Sequence, residues 1–356
     1  MEMKRIRMGI VGAGTWGETH AAIYAEHLFA EPVAICDTDG EKAKAIAEKY
    51  GIRKVYTDYL EMAKDKDIDA VAIVTPDFAH GDIAVAMAQA GKHMLIEKPL
   101  ATTMEDIDRI CKAVEENHVR CMVDLHNRWN PPFNKAKQEI ESGKLGEPYT
   151  AYIRHSDVKW VATDMLSWAS KSSILWFLGS HSLDTLRWLF DDEVKRVYSV
   201  KRKGILEGLG VDTDDIFLTT IEFEKGGVAH MENGWVTPNG NANINDFKCS
   251  VLCTKGMVSL ELSDHNLIHE VTEEKETVPD ILVSNMVFDR CKGLSYESIR
   301  DFVERLIDGK EFRVSLEDAR RTAIAILAIM KSVETGQPVD VVYGYAYERE
   351  SNDKCQ

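Results

Sequence analysis

The chain has 356 residues, 44% of them hydrophobic and 29% charged, and a formal net charge of −16. That length accommodates two domains, and the acidic balance speaks against a nucleic-acid partner, whose phosphates call for clustered Lys and Arg. The seven cysteines are scattered with no C-x-x-C pair, so neither a disulfide framework nor a zinc cluster is expected.

Residues 8–11 form an apolar run of the length of a buried strand. Charges at Glu2, Lys4, Arg5 and Arg7 precede it and glycines interrupt it at once, so it reads as a first strand and not a signal peptide. No stretch is long and apolar enough to span a membrane, and a cytoplasmic protein is expected. Gly12, Gly14 and Gly17 follow in G-x-G-x-x-G spacing and lead into a helix predicted over residues 18–28. In such a motif the first glycine permits a tight turn, the second admits a pyrophosphate to the backbone, and the third lets the helix lie close on the sheet. The unpaired N–H groups at the helix start would hold the phosphates. The next apolar run, residues 33–36, ends in Asp37, where a carboxylate accepts the hydroxyls of an adenosine ribose. Asp37 also repels a 2′-phosphate, and neither Thr38 nor Asp39 supplies a cation, so NAD is predicted in preference to NADP.

Strand and helix go on alternating through the first third. Helices are predicted over residues 40–50, 58–64, 79–90 and 103–117, and strands over 70–74, 93–96 and 120–124. This alternation predicts an α/β domain over residues 1–126, a doubly wound parallel sheet with right-handed crossovers. From residue 127 the texture changes. Strands are predicted over 149–155, 197–202, 215–224, 227–235, 247–254 and 257–262, and helices over 133–142, 180–190, 296–307 and 316–335. Residues 127–356 therefore read as an α+β domain with a largely antiparallel sheet, ending in a frayed polar tail over 345–356.

Ligands of open α/β sheets bind beyond the carboxyl ends of the strands. Three such ends carry unusual residues: Thr75-Pro76-Asp77 with His80, Glu97-Lys98-Pro99, and Asp124-Leu-His-Asn-Arg128. A lysine placed straight after a buried strand, as Lys98 is, is poorly explained by packing. In the second half, Gly179-Ser180 reads as a helix entry with Ser180 as N-cap. His181 then lies in the first turn, with Asp184 on the same face. A helix N-terminus disfavours the imidazolium, which leaves His181 neutral and able to accept a proton. Trp176 reads as core, whereas Trp160 and Trp168, among polar neighbours such as Lys171, read as pocket wall. Arg154 and His155 at a strand end are further candidates, and no histidine spacing suggests a metal site.

The run Gly12-Ala-Gly-Thr-Trp-Gly17, Thr75-Pro76 with His80, Gly91-Lys-His-Met-Leu-Ile-Glu-Lys-Pro99, Asn127-Arg128 and Gly179-Ser-His-Ser-Leu-Asp184 together resemble the glucose–fructose oxidoreductase and inositol dehydrogenase family, Gfo/Idh/MocA. The resemblance covers nearly the whole chain. It implies a Rossmann domain followed by a domain with an open mixed sheet, whose face often forms dimers or tetramers. It implies NAD contacts at Gly12, Ala13, Gly14, Thr15, Trp16, Gly17, Asp37, Thr75, Pro76, His80, Glu97, Lys98, Asn127 and Arg128. Lys98 would touch the nicotinamide ribose and the substrate hydroxyl, and His181 would be the general base or acid. The residue reading adds Asp184 as a catalytic partner, and Arg154, Trp160, Trp168 and Lys171 beside His181 as substrate contacts.

Phe177 departs from the family's pattern, since many of its sugar and inositol dehydrogenases carry an aspartate there. Inositol specificity therefore does not transfer, and either Asp184 assists His181 or Lys98 carries more of the proton traffic. The expected reaction is NAD-dependent oxidation of a secondary hydroxyl on a sugar, sugar derivative or cyclic polyol, in a homodimer or homotetramer. The rival readings are an NAD-dependent glycoside hydrolase working by transient oxidation and a non-catalytic NAD-binding regulator. The presence of both Lys98 and His181 speaks against the regulator.

Overall fold

In the first third, apolar runs become strands buried on both faces: Met8, Ile10, Val33, Ile35, Val71, Ile73, Met94 and Ile96 are all sealed from solvent. The computed structural model describes residues 5–288 and 290–344; the tail expected over 345–356 lies outside the described residues. The elements run β1 (Ile6–Val11), α1 (Thr15–Glu26), β2 (Ala30–Cys36), α2 (Gly40–Tyr50), β3 (Lys54–Tyr56), α3 (Tyr59–Ala63), β4 (Ala70–Ile73), α4 (His80–Gln89), β5 (His93–Ile96), α5 (Met104–Glu116) and β6 (Cys121–Val123). The six strands form one parallel sheet in the order β3-β2-β1-β4-β5-β6. The order reverses between β1 and β4, which sets a ligand crevice at the carboxyl ends of those strands. Short polar side chains start the helices: Asp39, Asp58 and Thr103 each accept a backbone N–H from the first turn they cap.

The protein divides into two compact units with a boundary in sequence between His126 and Asn127, and Ser284–Arg320 packs with the first unit. By sequence pattern alone that segment falls within residues 127–356. Its helix Leu294–Asp308 buries Ile299, Phe302 and Val303. Within this unit Arg300 pairs with Glu26 of α1, and the Arg120 guanidinium lies 4.3 Å from the Phe312 ring. These partners are far apart in sequence, so no local pattern announces them.

The second unit holds Asn127–Val283 and Arg321–Tyr343. Its elements are α6 (Pro131–Glu141), β7 (Pro148–Val158), α7 (Ser180–Phe190), β8 (Val194–Arg202), β9 (Ile216–Phe223), β10 (Val228–Thr237), β11 (Asn245–Cys253) and β12 (Met257–Glu261), with a short strand Val339–Asp340. They form a seven-stranded sheet in the order β12-β11-β7-β10-β9-β8 and then Val339–Asp340. Only β7 and β10 run parallel; the other pairs are antiparallel. Period-2 alternation divides the strands between two faces. Ile153, Phe217, Ile221, Met231, Cys249 and Val251 are buried on the face that packs α7, and Tyr152, Leu218, Val228 and Leu252 stand exposed on the other. Among the described residues no helix is long and apolar enough to cross a membrane.

Candidate active site

The glycine loop behaves as its spacing predicts. Gly12 has φ of +110°, and a Cβ there would come within 2.6 Å of the Val74 carbonyl oxygen. A Cβ on Gly17 would fall 2.0 Å from the Gly12 oxygen, so both positions demand glycine for packing. Gly14 differs, because a Cβ there would meet nothing within 4 Å. The space over Gly14 is open, and no side chain caps the first N–H groups of α1. That combination fits a pyrophosphate on the helix start. Helix α1 begins at Thr15, earlier than the sequence suggested, so Thr15 and Trp16 stand in its first turn. Asp37 follows β2, and its Oδ2 accepts the Ala13 N–H at 2.7 Å while Oδ1 accepts from Asp39 N at 2.8 Å. A carboxylate has about four acceptor sites, so two bonds still leave it able to receive ribose hydroxyls.

The turns after β4 and β5 are tied together by His80. Its ring is fully buried, with Nδ1 2.8 Å from the Pro99 carbonyl oxygen and Nε2 3.1 Å from that of Thr75. His80 was expected among the cofactor contacts; instead both ring nitrogens serve the backbone, and the residue fixes Thr75-Pro76 relative to Lys98-Pro99. Glu97 departs in the same way. Its side chain turns inward, with Oε1 3.6 Å from His20 Nε2. Burial pushes the Glu97 carboxyl up, but His20, Lys98 and His126 together bring it below the usual carboxylate range. Lys98 is half-buried at the strand end.

In the second unit, α7 carries His181, and its start is not the capped terminus expected. A π-helical turn, Leu175–Gly179, runs straight into it, and Gly179 and Ser180 both have helical backbone angles. The Ser180 hydroxyl donates back to the Trp176 carbonyl at 2.9 Å. His181 therefore sits inside a continuous helical path, and the argument from an open helix N-terminus does not apply to it. Asp184 is also placed differently. Arg128 grips its carboxylate with Nε at 3.0 Å and Nη2 at 2.7 Å, and Arg187 stands 3.9 Å away. All three are buried. Asp184 is thus the anion of a buried arginine cluster, and Arg128, expected near the cofactor, is its partner. Asn127, expected there too, donates to the Thr185 hydroxyl at 3.1 Å.

The ring nearest in kind to His181 is His155 on β7, with ring centroids 6.4 Å apart. His155 is buried and stacks on Phe247 at 3.8 Å. Asn233 of β10 donates through Nδ2 to the His155 carbonyl and to the Ser182 hydroxyl, both at 3.0 Å. Strand parity was the signal that could have separated His155 from Arg154. One residue away, Arg154 points to the opposite sheet face and pairs with Glu232 at 2.9 Å and Asp246 at 3.1 Å. There it lines a cavity of about 310 Å³ with Ser156, Ile216 and Gly234. The structure therefore does not bring Arg154 together with His181. Phe177, one turn before His181, lies edge-on to Trp168 at 6.3 Å and 6.4 Å from Trp235, an aromatic wall. Trp176 is core, as expected. Trp160 and Lys171 lie in turns flanking this region, Trp160 half-buried and Lys171 exposed.

A family model described as an oxidoreductase family with an NAD-binding Rossmann fold matches residues 6–125, and the Gfo/Idh/MocA C-terminal domain model matches residues 133–259. The chain is 32% identical over 338 residues to the inositol 2-dehydrogenase of Salmonella typhimurium, covering 93% of this chain and 95% of that protein. It is 27% identical over 349 residues to the scyllo-inositol 2-dehydrogenase (NAD(+)) of Bacillus subtilis, covering 96% and 98%. The scyllo-inositol dehydrogenase of Lactobacillus casei, solved with NAD(H) and scyllo-inositol, superimposes with a TM-score of 0.81 at 21% identity, covering 95% of this chain and 99% of that one.

Proposed function

The chain belongs to the Gfo/Idh/MocA family of NAD-dependent oxidoreductases, and we propose that it oxidises a secondary hydroxyl of a cyclic polyol or closely related sugar. The observation that carries this reading is the likeness to an inositol 2-dehydrogenase at 32% identity over almost the full length of both chains. NAD, when bound, supplies the redox chemistry by accepting hydride. The protein's own residues then have three tasks. The open backbone at Gly14 and the uncapped start of α1 receive the pyrophosphate, and Asp37 selects the unphosphorylated ribose. His181 takes the proton that the hydroxyl gives up, and Lys98 steadies the negative charge that develops on its oxygen. Phe177 and Trp168, both part-exposed, give an apolar surface on which the carbon face of a ring can pack, with the wholly buried Trp235 beside Phe177.

We also assign the exposed face of the second unit's sheet to self-association, as a homodimer or homotetramer. Tyr198, Val200, Leu218, Tyr152, Val228, Leu252 and Met257 are 37–61% exposed along it. Cross-strand pairing puts them on one side: His230 pairs with Tyr152 and Thr220, Thr220 with Tyr198, and Leu218 with Val200. Exposed apolar side chains gathered on one sheet face, with His230, Thr220 and Glu232 among them, mark an association surface. The absence of a membrane-crossing helix among the described residues accords with work in the cytoplasm.

The test of the reaction is a panel of inositols, sugars and glycosides with NAD, following NADH absorbance and product release together. NADH formation with an inositol or free sugar supports the dehydrogenase. Glycoside cleavage without net NADH would replace it by the hydrolase reading.

A further inference from the structure

Three buried groups beneath the Lys98 turn have no task in the reaction just described. His20 comes from α1, one turn beyond Gly17. Glu97 and Asp124 end the neighbouring strands β5 and β6, where Asp124 N–H donates to the Ile96 carbonyl at 2.8 Å. His20 and Asp124 are wholly buried and Glu97 is 7% exposed. One ligand atom from each lies within 4.8 Å of the other two. His20 Nε2, Glu97 Oε1 and both carboxylate oxygens of Asp124 make no hydrogen bond among the described residues. The second imidazole nitrogen is engaged, with Nδ1 3.0 Å from the Tyr24 hydroxyl, and this aims Nε2 at Glu97.

Two carboxylates this close in a buried site cannot both stand as bare anions; they need a proton or a cation between them. Charge counting decides which. Glu97 and Asp124 bring two negative charges, and the neighbouring Lys98 ammonium, whose field reaches Glu97, brings one positive. A single added proton makes the group neutral. A divalent metal ion in the same place would leave a net positive charge buried beside an ammonium.

We propose that His20, Glu97 and Asp124 share one proton, and that this triad is a positioning device which holds Lys98 charged and in place at the end of β5. The proton lies on the His20 ring between the two carboxylates, so the helix that follows the glycine loop is electrostatically clamped to the strand end that carries Lys98. The other titratable groups facing the triad are His126, with Nδ1 3.8 Å from Asp124 Oδ2, and Tyr24, whose hydroxyl burial pushes well above its usual range. The link to Lys98 rests on the reaction proposed above; the shared proton does not.

Nitrogen-15 NMR of the His20 ring in the full-length protein, without NAD or substrate, reads the proton directly. The expected result at neutral pH is a ring carrying two protons in the native protein and one in Asp124→Asn, which keeps the shape of the site and removes one charge. A singly protonated ring in the native protein would overturn the proposal, and that measurement needs no variant to fold. About one equivalent of zinc or another divalent metal in freshly purified protein would overturn it too, by putting a metal where the proton is assigned. In turnover, Glu97→Gln should move the Lys98 limb of the kcat/KM pH profile to lower pH by about 1 unit, because the ammonium loses the carboxylate whose field it shares and gives up its proton more readily. A merely structural substitution would lower the rate without moving that limb. A doubly protonated His20 with an unmoved profile would overturn the link to Lys98 and the role given to that lysine together, whereas a singly protonated ring leaves that role standing.

Discussion

Replacing Asp184 by asparagine separates two roles that its sequence position alone leaves mixed. The carboxylate receives two hydrogen bonds from Arg128, at 3.0 and 2.7 Å, with Asp184 wholly buried and Arg128 8% exposed. Removing one partner of a buried ion pair costs about 3–5 kcal/mol, since the other charge is left without compensation. Asparagine keeps one oxygen as an acceptor, so the lower end, about 3 kcal/mol, is expected. For a domain of roughly 150–250 residues each kcal/mol moves Tm by about 2–4 °C, so Asp184→Asn should melt about 6–12 °C below the native protein. Arg187 keeps Glu193 as a partner at 2.8 Å, which confines the damage to the Arg128 side of the cluster. Thermal melting by circular dichroism gives the stability, and the pH dependence of kcat below the melting temperature gives the chemistry. The profile should keep its shape. An unchanged Tm with a fall of ~10²-fold in kcat, the size of a lost general-base contribution, would refute the argument and return Asp184 to the imidazole.

Gly14→Val should fold normally and lose NAD binding, because its side chain enters open space; Gly17→Val should fail to fold, because its Cβ would lie 2.0 Å from a carbonyl oxygen, and calorimetric NAD titration beside a melting curve separates the two. Asp37→Ala should weaken NAD and narrow its advantage over NADP, and equal affinity of the native protein for both cofactors would remove Asp37 from that task. Asp65 is held down to about 2 although burial pushes it up, because Lys54, the Asp67 backbone N–H and Tyr56 stabilise its charge. Its contribution to stability is therefore complete above the ordinary carboxylate range and fades as pH falls from there towards about 2, so Asp65→Asn should flatten that acid limb in a stability-against-pH series. Leu218→Asp should yield monomers in light scattering at micromolar concentration, and a native protein that is already monomeric would dispose of the association face.

The periodicities visible in the chain account for most of the backbone. The apolar run predicted as a strand over 70–74 is β4 (Ala70–Ile73) of the buried parallel sheet, and the helix predicted over 180–190 is α7 with the same ends. What local pattern could not supply was long-range pairing. Gly179-Ser180 has the composition of a helix entry, yet Leu175–Gly179 is already helical, because that segment finds its partners in the packed interior. Asp184 and Arg128 are 56 residues apart, so their ion pair has no signature in either neighbourhood. His80 and Glu97 stand beside residues fit for cofactor contact, but a buried histidine must satisfy its ring nitrogens, and the nearest acceptors are the carbonyls of Thr75 and Pro99. Asp124 is legible only once β5 and β6 are known to be neighbours.

Strand β7 keeps the face proposed for assembly and the face beside His181 on its two opposite sides. Successive residues of a strand point to opposite faces, so Ile153 and His155 face α7 while Tyr152 and Arg154 face outward. On the inner side His155 stacks on Phe247 and its ring lies 6.4 Å from that of His181. On the outer side Tyr152 stacks with His230 at 5.9 Å, and Arg154 is held between Glu232 and Asp246. A charge reversal at Arg154 would leave two acidic residues facing a third and disturb the outer face first. Its effect on turnover would have to pass through the backbone of β7 to reach His155. Loss of the His155 ring would act in the opposite order, on the surroundings of His181 before anything on the association face. The cavity beside Arg154 therefore lies on the face proposed for assembly, and His155 lies on the opposite face beside His181, although Arg154 and His155 are neighbours in sequence.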